Sequence, residues 1–102
     1  MIEEAYSGQT KGCYKKVLQD AIGIFSKPIS NLTDQQRKSI LAQLNDIQSM
    51  VVEKELITDW FDIDERYTLG AIATNFFEDD IVKKELLEDV FAGAMEYKYM
   101  PD

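Results

Sequence analysis

An all-α fold, a compact bundle of about four amphipathic helices, is what three features of this 102-residue chain predict. Apolar residues recur at spacings of three and four in four separate stretches, the period that puts them on one face of a helix. A capping box opens one of those stretches. Neither period-two alternation nor an Asn-Gly or Asp-Gly dipeptide, the marks of strands and hairpins, occurs.

The first stripe is Tyr14, Val17, Leu18, Ala21, Ile22 and Phe25, with Lys15, Lys16, Gln19 and Asp20 off it. Pro28 sets its end, because proline lacks an amide donor and disfavours helical geometry in the residue before it. Residues 26–32 then read as a short helix-to-helix turn. Thr33-Asp34-Gln35-Gln36 is the capping box, and Ile40, Leu41, Leu44, Ile47 and Val51 carry the second helix to about Glu55.

Residues 56–62 lack a clean period and predict a bend or irregular turn. From Asp64 the pattern returns: Leu69, Ile72, Ala73, Phe76 and Phe77 form a third stripe, and Leu86, Leu87, Val90, Phe91, Ala94 and Met95 a fourth. Asp79 or Asp80 is a natural N-cap for the fourth helix. Gly70 and Gly93 fall inside predicted helices at a cost in propensity, which points to close helix approach or a kink. The length fits one domain over residues 1–102.

No apolar run approaches the roughly 18 to 20 residues that a spanning helix needs, so no membrane segment is expected. Two acids, Glu3 and Glu4, stand where a secretory signal carries bases. With one cysteine, Cys13, and hence no internal disulfide, a cytoplasmic setting is the expectation. Cys13 is read as a packing residue.

Chemistry is sparse. The chain has no histidine, which removes the commonest general base and metal ligand and excludes Ser-His-Asp and Cys-His catalysis. Five scattered glycines match neither the P-loop nor the dinucleotide fingerprint. The Gly8 to Gly12 stretch reads as a polar lead-in. Asp59, Asp62, Asp64 and Glu65 suggest a hard-cation site, but a calcium loop begun at Asp62 would have Tyr67 at the turn glycine and Ala73 at the closing glutamate. No metal, cofactor or enzymatic activity is therefore expected; a small metal-dependent enzyme would be stabilised by a divalent ion.

Charge is the outstanding feature. Residues 1–52 carry five acids against six bases, whereas residues 53–102 carry fourteen against five, a balance of −9 within an overall −8. Eight of the eleven aromatics also lie in that second half. Such a field repels phosphate backbones, arguing against direct nucleic-acid binding, and attracts basic protein surfaces. Acids at Asp62 to Glu65 and at Asp79 and Asp80 are alternatively explained as helix caps, although Glu78, Asp79 and Asp80 at the end of the third helix oppose its macrodipole. Trp60 and Phe61 are expected in the core, and Tyr97 and Tyr99 exposed.

These features predict a small acidic protein-binding module. It would be an inhibitor or immunity-type protein that neutralises a basic partner, such as a nuclease toxin or nucleic-acid-binding protein, through Asp59, Asp62, Glu65, Asp79, Asp80, Tyr97 and Tyr99. The alternative is a helical adaptor or regulatory subunit, dimeric, that docks a partner helix in an apolar groove.

Overall fold

A computed structural model describes residues 10–30, 32–77 and 79–101. Glu3, Glu4, Gly8 and Glu78, each part of an expectation above, lie outside the described residues. Helix accounts for 77% of what is described, with no strand among those residues. The five α-helices are α1 (Lys11–Phe25), α2 (Asp34–Ile47), α3 (Trp60–Arg66), α4 (Leu69–Phe76) and α5 (Ile81–Glu96). A π-helical segment (Gln48–Glu53) extends α2, and a 3₁₀ turn (Tyr97–Tyr99) extends α5.

The helix ends follow from local chemistry. Thr10, in extended geometry, accepts the Cys13 amide on its Oγ1 and starts α1, so the stretch read as a polar lead-in contains a cap. The box at the start of α2 forms as the spacing predicts: Gln36 N donates to Thr33 Oγ1 at 3.1 Å, and Thr33 N to Gln36 Oε1 at 2.9 Å. At the far end of α1, Arg37 Nη1 donates to the Phe25 carbonyl at 3.0 Å, satisfying one of the acceptors a helix terminus leaves open. The α2 extension departs from the expected α-helix to Glu55. The wider π turn brings adjacent Val51 and Val52 both into the core, and Glu55, at φ 52°, then reverses the chain.

The third expected helix is two helices. Residues 60–62, expected as part of a bend, instead open a separate helix, α3, and Tyr67 after it is extended at φ −119°, ψ 145°. Side chains of α2 pay for the break. Gln43 accepts the Thr68 amide at 2.8 Å and donates to Thr68 Oγ1 at 2.9 Å. Asp46 accepts from Arg66 Nε at 2.6 Å, from Arg66 Nη2 at 3.1 Å and from the Tyr67 hydroxyl at 2.6 Å. The Arg66 guanidinium, helped by the Tyr67 hydroxyl, holds the Asp46 carboxyl below its ordinary range. Burial, then the Asp46 carboxylate, pushes the Tyr67 phenol up, so it stays a donor at neutral pH.

Because the Asp46 carboxyl is depressed, its contribution is present above the unfolded-state value of about 4 and is lost as pH falls through the lower folded value. Asp46→Ala is expected to cost about 1 to 3 kcal/mol at pH 7. The gap between variant and wild type in urea unfolding should narrow at about pH 3. An equal gap at both pH values would mean that the carboxylate contributes only packing.

The core is one cluster drawn from every helix. It takes Tyr14, Leu18, Ala21 and Phe25 from the first stripe, Ile40, Leu44, Ile47 and Val51 from the second, Leu69, Ala73 and Phe77 from the third, and Leu87, Val90 and Ala94 from the fourth. Helix α5 is the centre of the packing, touching α1, α3 and α4, while α2 packs on α1. The α1–α5 seam is close. The Tyr14 hydroxyl donates to the Val90 carbonyl at 2.7 Å, and the Tyr14 and Tyr97 rings are 5.6 Å apart. Gly93 faces the Tyr14 ring, where an added Cβ would lie 2.6 Å from Cδ1 and closer still to Cε1. Gly70 likewise faces Phe91, 3.3 Å from where its Cβ would be. Both glycines permit the close approach that their helical positions imply. Lys11 N donates to the Pro101 carbonyl at 2.8 Å, so the seam continues into the residues after the 3₁₀ turn.

Cys13 is exposed and not a packing residue: it lies one position off the Tyr14, Leu18, Ala21 and Phe25 stripe, on the outer side of α1. Hydrogen bonding from the Thr10 side chain lowers its thiol pKa, with Lys16 adding to the effect.

Candidate protein-binding surface

Helix α3 presents most of the acidic and aromatic residues of interest. Ile63 is its single fully buried side chain and points into the bundle. On a 100° per residue wheel Phe61 and Glu65 then share the opposite face, with Asp62 and Asp64 on either flank. Trp60 and Phe61, expected in the core, are 58% and 61% exposed. The inward positions of this short helix are already filled by Ile63 and, just after it, by Tyr67.

The early start of α3 also changes the reading of its acids. Asp59 occupies the N-cap position in extended geometry but makes no capping hydrogen bond. Instead its Oδ1 lies 3.1 Å from Lys98 Nζ, and this hydrogen bond holds the Lys98 pKa above its ordinary value. Asp62 lies in the first turn, where the macrodipole favours it. Asp64 and Glu65 stand beyond that turn in a seven-residue helix, so helix-start stabilisation does not account for them. None of Asp62, Asp64 and Glu65 forms an ion pair among the described residues.

Asp79 and Asp80 belong to a different place. Asp80 caps α5, accepting the Lys83 amide at 3.2 Å and the Lys83 ammonium at 2.9 Å, and these bonds lower its carboxyl pKa. Asp79 is exposed beside it. Lys98, which reaches Asp59, lies beyond the other end of the 16-residue α5, and a helix of that length runs about 24 Å. The expected face is therefore two acidic groups: Asp59, Asp62 and Glu65 at the α3 end, joined to Tyr99 through Lys98, and Asp79 with Asp80.

Tyr97 leaves the expected surface altogether. It is 3% exposed, packed on Tyr14 with Lys11 Nζ 5.3 Å from its ring centroid. Its spacing from Leu87, Val90 and Ala94 continues the fourth stripe by one more step, the signal that places it inside. Tyr99 is 61% exposed, as expected, and Lys98 Nζ sits 5.1 Å from its ring centroid.

Other surface features are shallow. An open depression at the end of α1 is lined by Ile24, Pro28, Ile29 and Lys83 among others. Among the described residues, no three His, Cys, Asp or Glu side chains are grouped to hold a metal ion, and no helix is long and apolar enough to cross a membrane. No protein-family model, curated protein or solved structure matches the chain.

Proposed function

We propose that the chain is an acidic protein-binding module that engages a basic partner through the α3 end of the bundle, in the manner of an inhibitor or immunity-type protein facing a nuclease toxin or nucleic-acid-binding protein. The observation that carries this reading is the set of α3 acids without ion partners among the described residues, placed beside two aromatics left in water. A charge balance of −9 over residues 53–102 adds a long-range field, which raises the encounter rate with a positive surface. Asp79 and Asp80 contribute to that field, with Asp80 also serving as a cap. An adaptor that docks an apolar helix is the second reading, favoured by the depression around Ile24 and Ile29.

The test separates the two acidic clusters. With a basic partner recovered from native extract, Asp59→Asn/Asp62→Asn/Glu65→Gln is expected to weaken association about tenfold or more, mainly through the on-rate. Asp79→Asn/Asp80→Asn should have a smaller effect; asparagine retains the capping function at Asp80. Asp20→Asn/Asp34→Asn is the control, Asp46 being unsuitable because it clasps Arg66 and Tyr67. Wild-type affinity should fall steeply between about 50 and 500 mM salt as screening shortens the reach of the field. A flat salt profile with unimpaired α3 variants would move the function to the apolar depression.

A further inference from the structure

Lys98 is held by two groups at once. Its ammonium meets the Asp59 carboxylate at 3.1 Å and lies 5.1 Å from the Tyr99 ring centroid. The carboxylate is well exposed, with 68% of its side-chain surface accessible. A carboxylate and an aromatic face converging on one cation is the arrangement that receives a lysine or arginine from another molecule. Here the chain fills it from within. Trp60 and Phe61, immediately after Asp59, present apolar surface to water where large side chains are ordinarily buried.

We propose that Trp60, Phe61 and Tyr99, rimmed by Asp59, Asp62 and Glu65, seat a basic amphipathic helix of the partner protein. In that complex Lys98 is displaced from Asp59 by a basic side chain of the partner. The proposal rests on the protein-binding reading and names the chemistry of the segment recognised. Charge selects the occupant. The nearby bases are committed, Arg66 to Asp46 and Lys98 to Asp59, while the α3 acids remain open. A second copy of this chain docked by the same face would bring acids against acids, and a nucleic acid would bring phosphates. A partner arginine matches the Asp59 carboxylate in two parallel hydrogen bonds and stacks on the Tyr99 ring, which lysine does less well.

Trp60 is the chain's single tryptophan, so its emission reports directly on this corner. The probes are an 18-residue amphipathic helical peptide of arginine and leucine and its scrambled, non-amphipathic isomer, titrated into the full chain. The amphipathic peptide should give a saturable blue shift of Trp60 emission. Phe61→Ala, an exposed position whose loss leaves the core intact, should weaken it about tenfold, as loss of an anchor does. Lys98→Met should strengthen binding about threefold or more, because an internal competitor is gone. Lys54→Met removes the same charge elsewhere in the acidic half and should give a clearly smaller gain. Several results would overturn the proposal: no binding by the amphipathic peptide, equal gains for the two lysine variants, or a blue shift on concentrating the protein alone, which assigns the patch to a second copy. If both isomers bind alike in a salt-dependent way without moving Trp60 emission, the acidic-module reading stands and this inference falls.

Discussion

Gly93→Ala is expected to destabilise the fold by about 2 to 3 kcal/mol, although the same change at an open helical site would stabilise by about 1 kcal/mol. The sign is decided by the Tyr14 ring. A Cβ at residue 93 would overlap two of its carbons, and the ring has nowhere to go. Its hydroxyl is tied to the Val90 carbonyl, and its side is packed on Tyr97. The relief must come from moving α5 away from α1, which loosens the largest fully buried residues of the core. A double-mutant cycle with Tyr14→Leu makes the cause visible. Denaturant unfolding should show Gly93→Ala costing much less when Tyr14→Leu is already present, a coupling that independent sites lack. Equal costs in both backgrounds would remove the steric explanation.

Phe77→Ala is expected to cost about 3 to 5 kcal/mol, the range for deleting a buried aromatic. Phe76→Ala, one residue away, should cost about 1 kcal/mol or less. Phe77 is 1% exposed and meets Phe25 edge to face, centroids 5.9 Å apart. It also turns the corner between α4 and α5, its carbonyl accepting the Asp80 amide at 3.1 Å. Truncating it removes core directly beneath that corner while leaving the carbonyl in place, and the resulting loosening of the α5 start should register in amide exchange at Asp80. Phe76 is more than a third exposed. Comparable costs at the two positions would show that the α4 face is rotated from that described.

Those neighbours show where periodicity stops informing. The third stripe includes both phenylalanines, and only the irregular geometry at Phe77, φ −124° and ψ 34°, decides which turns inward. The four stripes are legible because each spans several turns, long enough for the period to rise above chance, and the capping box because its two side chains stand at a fixed offset of three. Helix α3 is not, since it buries one residue and exposes its two large aromatics, so its apolar pattern runs counter to its packing. Tyr97 carries a legible signal that runs against the expectation of exposure: its distance from Ala94 continues the fourth stripe. On the candidate surface, the excess of acids was evident from composition. Its division into two clusters was not, because that depends on which way α5 runs between Asp80 and Lys98. Asp46 resembles any other acid in sequence, and its grip on Arg66 and Tyr67, 20 and 21 residues later, arises only because the chain reverses at Glu55.

The seam between α1 and α5 joins Tyr14 to Val90, 76 residues apart, and this has a consequence for the order of assembly. During synthesis α1 and α2 emerge first and can pair, but the side of Tyr14 that meets Val90, Gly93 and Tyr97 stays uncovered until the last of these leaves the ribosome. A chain stalled before that point carries a half-built apolar surface beside a helix hairpin, the kind of intermediate that chaperones recognise. The contacts that complete the core are thus among those separated by the most sequence, and closing a loop of that length carries an entropic cost that only the formed seam offsets.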